Sequence, residues 1–198
     1  MKTFFETIKR SYTEVPINEE GIDTIAFLEA TEGLVQLFDL LGSTAFSIVQ
    51  NDMNGNIKKI QAKYDTDPSK NNSLENLIKN EAGEKKRVAT EGLLWLKRGL
   101  ELTSVALRRS INNVSEELSV SFTMSYGETL KQYHNFVVKS LFTVAMKACP
   151  YREEFFKKLG DDQEVVIVKY KEWLGALEVI VKRLDDFYVK NGYDKGFK

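Results

Sequence analysis

Three stretches of the chain hold residues whose types and spacing suit chemistry. The first is "NDMNGNIKKI", residues 51–60, with Asp52, Asn56 and Lys59. On a helix these three fall within roughly 60° of one another. Asp accepts hydrogen bonds, Lys donates them and Asn does both, so such an edge suits a ligand with several hydroxyls, such as a sugar. The same residues also suit an Asp–Lys pair bridged by Asn56 on a solvated face, and spacing alone leaves both readings open. The second stretch is "TEGLLWLKRGL", residues 90–100, where Trp95 has Gly92 at i−3 and Gly99 at i+4 on its own face. The two missing side chains either uncover the indole as a plate for a sugar ring or mark close helix–helix approach. Lys97 and Arg98 are expected to face solvent or pair with acids. The third is His134, the single histidine, which on a helix shares a face with Leu130, Val137, Val138, Leu141 and Ala145. It is either a satisfied core residue or a hydrogen-bond donor to a buried carbonyl on an otherwise apolar ligand.

Catalytic patterns are missing. The sequence has no P-loop, GxSxG, HExxH or CxxC motif. The single cysteine, Cys149, excludes an internal disulfide and a Cys-rich zinc site. One histidine cannot supply the paired Glu-x-x-His motifs of a di-iron bundle. No catalytic residue, metal or cofactor is therefore assigned. Net charge is −1, from 28 basic and 29 acidic residues, which gives no electrostatic basis for a nucleic-acid partner.

Positioning these groups falls to helices. The 198 residues are 42% hydrophobic and 29% charged, an ordinary globular mix consistent with one domain over 1–198. Helices are expected over about 22–41, ended by Gly42, and 44–65, capped by Ser43 and running through Asn54-Gly55. The latter carries the stripe Phe46, Val49, Met53, Ile57, Ile60, Tyr64. A short helix capped by Ser73 runs to about 81. Longer ones cover 85–111 and 115–149, followed by 151–159 and 162–190, the last opened by an Asp161/Glu164 capping box. Helices this long cross a whole domain, so an all-α layered sandwich or bundle is the natural packing. No targeting segment and no spanning helix is read, so a cytoplasmic protein, peripheral at membranes, is expected.

The segments "NDMNGNIKKIQAKYDTDP" (51–68), "LLWLKRGL" (93–100), "LKQYHNFV" (130–137) and "ACPYREEFFKKL" (148–159) together resemble the glycolipid transfer protein family, in its order and spacing. The resemblance implies an all-α, two-layer helical sandwich of about eight helices that carries glycosphingolipids between membranes unchanged. It implies a head-group site of Asp52, Asn56, Lys59 and Trp95, with Tyr193 a looser match. His134, assisted by Asp52, would bond the ceramide amide. Tyr126, Leu130 and Phe142 would line the tunnel for the lipid chains. Phe136 stands where the family often has an exposed membrane-docking Trp, and Glu91 where well-studied members have Leu. The intact Trp95 favours a neutral sugar head. The implied partners are a glycosphingolipid and, transiently, a membrane surface, with no obligate protein partner; a sphingolipid sensor or adaptor that binds the same ligand is the alternative.

Overall fold

The computed structural model describes residues 2–197. Eight α-helices dominate them, and strand pairing is limited to two isolated bridges, Ile17–Ile22 and Asp23–Ser73. The first helix, α1 (Thr24–Leu40), opens on Asp23, whose carboxylate accepts from the Ala26 amide at 2.8 Å. Gly42, at φ +69°, follows its end. Ser43 caps as expected, but what it caps is a 3₁₀ turn, Thr44–Phe46, before α2 (Ser47–Thr66) begins. That helix continues through Asn54-Gly55, where a Cβ on Gly55 would touch nothing. The helical period of the flanking residues outweighs a dipeptide that elsewhere makes hairpins.

Ser73 caps α3 (Leu74–Glu81) through the Asn76 amide. The next helix, α4 (Val88–Asn112), has no cap of its own. Glu81, 2% exposed, supplies one from α3. It accepts from the Ala89 amide at 2.9 Å and from the Thr90 amide and hydroxyl at 2.6 and 2.7 Å. A carboxylate there satisfies orphan amides and lies at the positive end of the helix dipole.

The expected single helix over 115–149 is three elements. They are α5 (Leu118–Glu128), a 3₁₀ turn (Leu130–Tyr133) and α6 (Phe136–Lys147). The break has a local cause that the apolar period hides. Asn135 is the N-cap of α6, accepting from the Val138 amide at 3.0 Å, so the chain restarts a helix there. The chain closes with α7 (Arg152–Leu159) and α8 (Gln163–Asn191). Asp162, rather than Asp161, caps α8, and Gly192 ends it in the left-handed region at φ +67°.

The central helix is α4, packed against α2, α5 and α8. Leu93, Leu96, Leu100, Ala106 and Leu107 on α4 are fully buried, as are Leu174, Leu177 and Leu184 on α8. Each large apolar side chain so buried contributes about 1.5–3 kcal/mol before the entropy of ordering is set against it. No helix among the described residues is long and apolar enough to cross a membrane.

Candidate functional site

The edge of α2 carries the polar triplet, with Asn56 at its centre. Asn56 donates to Asp52 Oδ2 at 3.4 Å and accepts from Lys59 Nζ at 3.1 Å. One amide thus orients both charged groups, which make no direct ion pair. Asp52 and Lys59 are exposed, but Asn56 is only 3% exposed, so the triplet does not lie wholly at the rim of the buried face as its angular position suggests. The reason is on α4. Gly92 brings that helix so close that a Cβ there would lie 3.1 Å from Lys59 Cβ and 3.5 Å from the Asn56 carbonyl oxygen. Of the two readings of this glycine, close helix–helix approach is the one that holds. Although Asp52 is open at its edge, crowding around its carboxyl pushes the pKa up, against the opposing pull of Lys59.

Trp95, on α4 one turn beyond Gly92, is half-buried and is not bare. The Tyr133 ring meets it edge-on with centroids 6.4 Å apart, and the Arg98 guanidinium lies 4.8 Å from its ring centre. Arg98 departs from the expected solvated position. It is 5% exposed and stacks 3.6 Å over Tyr133, and burial lowers its pKa. Lys97 is likewise 5% exposed, but it does pair with acids, Asp185 on α8 and Glu101.

His134 is not on a helical face. It ends the 3₁₀ turn in extended backbone, φ −89° and ψ 141°. Val137 and Leu141, expected to share its apolar face, are 65% and 47% exposed. The imidazole stacks beside Trp95 (centroids 5.9 Å, planes 17° apart) and meets Phe142 edge-on at 4.5 Å. Its Nδ1 lies 3.1 Å from the Tyr126 hydroxyl. Burial, then the charges of Lys139 and Arg98, push its pKa down to about 4, so the ring is neutral near pH 7.

These groups converge. Asp52, Asn56, Lys59, Trp95, His134 and Phe142 line one open cavity of about 670 Å³. Glu91, Ile48, Tyr133, Asn135 and Val138 complete its wall. Ile48 and the joint residues Tyr133 and Asn135 were not identified from sequence; the capping potential of Asn135 was the signal that could have located the joint. Tyr126 and Leu130 are buried and do not line the cavity; Tyr126 stacks on the wall residue Phe142 at 5.5 Å. Tyr193 is not on this wall. It packs on Phe187 at 5.4 Å, while its neighbours Asp194–Phe197 border a separate cavity beside Arg98. Phe136 is 83% exposed, with Val137, Leu141 and Val144 also exposed on α6 and Tyr151 just beyond it. Cys149 has its thiol pKa pushed up to about 12 by burial, which disfavours the nucleophilic thiolate.

The cavity therefore offers donors and acceptors on one lip, an aromatic plate, and a neutral imidazole among the apolar side chains Ile48, Val138 and Phe142. Comparison with known proteins agrees. Residues 22–161 match the family model described as glycolipid transfer protein. A glycolipid transfer protein of Aureobasidium melanogenum is 51% identical over 185 residues, 93% of this chain and 92% of that protein. The human pleckstrin homology domain-containing family A member 8 is 34% identical over 206 residues, 97% of this chain but 40% of that longer protein. A crystal structure of HET-C2, a fungal glycolipid transfer protein, superposes with a TM-score of 0.93 at 46% identity, covering 98% of this chain and all of that one. The two-layer helical sandwich that the resemblance implied is thus the fold observed, and this chain belongs to the glycolipid transfer protein family.

Proposed function

We propose that the protein binds a glycosphingolipid and transfers it between membranes without chemical change, as a single domain over 1–198. The carrying observation is the convergence of Asp52, Asn56 and Lys59 with Trp95 and His134 on one cavity. Sugar hydroxyls bond the α2 lip, where Asn56 already aligns an acceptor and a donor, and the ring stacks on Trp95. His134 and Asp52 hold the amide region of the lipid. Phe142 begins the path for the chains, and Tyr126, stacked on it, and the buried Leu130 line the tunnel that receives them. Phe136 and its exposed apolar neighbours on α6 insert at the membrane surface. Related structures support the ligand class: a structure described as showing how FAPP2 selects simple glycosphingolipids using this fold superposes with a TM-score of 0.88 at 32% identity, covering 98% of this chain and 99% of that one.

Sheltering a lipid chain is worth ~0.8 kcal/mol per methylene, so extraction from a bilayer demands that most of both chains be enclosed. A vesicle-to-vesicle assay tests the reading. Asp52→Val and Trp95→Ala are expected to lose most glycolipid transfer, and wild-type transfer in both would sink the site assignment. Recovery of only unmodified lipid after long incubation is expected from a carrier; a modified head group would make the protein an enzyme.

A further inference from the structure

We propose that Tyr126 is a positioning residue that holds His134 in the Nε2–H tautomer, so that the imidazole presents a fixed donor to a carbonyl in the cavity. The identity of that carbonyl, a lipid amide, rests on the proposed function; the tautomer does not. The Tyr126 hydroxyl lies 3.1 Å from His134 Nδ1, and among the described residues it has no other partner. Tyr126 is 2% exposed. Were Nδ1 to carry the proton, the hydroxyl would have to accept, and its own proton would be buried with no acceptor, a costly arrangement. With the hydroxyl donating to Nδ1, both groups are satisfied and the single proton of the neutral ring sits on Nε2.

The rest of the ring's surroundings fit that assignment. No protein group among the described residues bonds Nε2, and the ring borders the cavity beside Asp52. Trp95 stacked at 5.9 Å and Phe142 edge-on at 4.5 Å fix the plane of the imidazole. Packing therefore sets where the ring points, and Tyr126 sets which nitrogen can give. In the other tautomer Nε2 would be an acceptor and would repel a carbonyl oxygen. A hydroxyl held behind a ligand-binding histidine plays the part that a carboxylate or backbone carbonyl plays behind many metal-bound histidines, with the proton polarity reversed.

Because the chain has one histidine, ¹⁵N-histidine labelling gives a single-site spectrum. Long-range ¹H–¹⁵N correlations on the free protein at pH 7 are expected to show the Nε2–H tautomer alone. Tyr126→Phe is expected to give a mixture with detectable Nδ1–H form, and to bind glucosylceramide in phosphatidylcholine vesicles about fivefold more weakly, the value of one neutral hydrogen bond. Phe142→Leu, which alters packing but keeps the hydroxyl, is expected to retain the pure Nε2–H form. Wild-type protein in the Nδ1–H form would overturn the proposal, and so would an unchanged tautomer in folded Tyr126→Phe. If that variant does not fold, the wild-type Nδ1 shift decides: an upfield shift from that of a free pyridine-type nitrogen marks the donated hydroxyl proton, and a free pyridine-type value would overturn the proposal. A wild-type protein in the Nε2–H form that binds no glucosylceramide would support the role of Tyr126 while removing the glycolipid reading.

Discussion

Gly92 and Gly55 make a controlled pair for asking what holds the head-group lip in place. Both lie inside helices, so alanine at either gains up to ~1 kcal/mol of helix propensity. At Gly55 nothing lies within 4 Å of the new Cβ, so Gly55→Ala is expected to stabilise the protein by about 0.5–1 kcal/mol. At Gly92 the new Cβ would lie 3.1 Å from Lys59 Cβ and Cδ and 3.5 Å from a backbone oxygen. The Lys59 Cδ can swing away; its Cβ moves only with α2. Overpacking of this kind costs about 1–3 kcal/mol and absorbs the propensity gain. The two variants should then differ by about 1–3 kcal/mol in urea unfolding. In thermal unfolding each kcal/mol separates them by roughly 2–4 °C for a chain of this size. Function should split them further, because a displaced α2 moves Asn56 and Lys59 away from Trp95. In the vesicle assay Gly92→Ala is expected to fall severalfold while Gly55→Ala keeps full transfer. Equal stabilities with full transfer in both would refute the argument that close approach at Gly92 sets the lip.

Three further outcomes follow from other parts of the molecule. Glu81→Ala strips three buried donors at the start of α4 of their acceptor and is expected to cost about 2–4 kcal/mol in urea unfolding, with Glu81→Gln costing less; a loss below that of an ordinary surface substitution would refute the capping role. The His134 pKa, pushed down to about 4 from an ordinary 6.5, means that the unfolded chain takes the proton first as pH falls. Relative to His134→Gln, the wild type should therefore hold its stability above about pH 6.5 and lose it progressively toward pH 4; an NMR titration midpoint near 6.5 would contradict this. Phe136→Ala removes a side chain that is 83% exposed, so unfolding should change by less than about 0.5 kcal/mol while transfer from vesicles slows; unchanged transfer would remove Phe136 from the docking surface.

Much of the molecule was legible from local chemistry. The 3.6-residue stripe of α2 overrode Asn54-Gly55, and Gly42, Ser43 and Ser73 mark helix boundaries through bonds or dihedrals belonging to their own segments. The triplet Asp52, Asn56, Lys59 was visible for the same reason: helical geometry alone puts the three on one edge. The roles given to Trp95 and His134 came with the family resemblance, since their types and spacing left a structural reading equally open.

Other features are decided by groups far apart in the chain. Residue 56 appears at a rim by angle, yet it is buried because α4 closes over it at a glycine thirty-six positions away. Arg98, expected to face solvent or pair with an acid, is instead buried with its guanidinium over Tyr133, which the turn before α6 supplies. The apolar period from 115 to 149 runs on through a real break, because the turn still buries Leu130 and α6 resumes at once with apolar residues, and the Asn135 cap marks where the helix restarts. Sequence thus determined the helices and the polar edge of α2, which follow from each residue's own backbone and near neighbours. Tertiary structure decided the burial of Asn56, the exclusion of Tyr193 from the cavity and the hydrogen-bond partner of the imidazole, because each depends on which side chain of another element fills the space beside it.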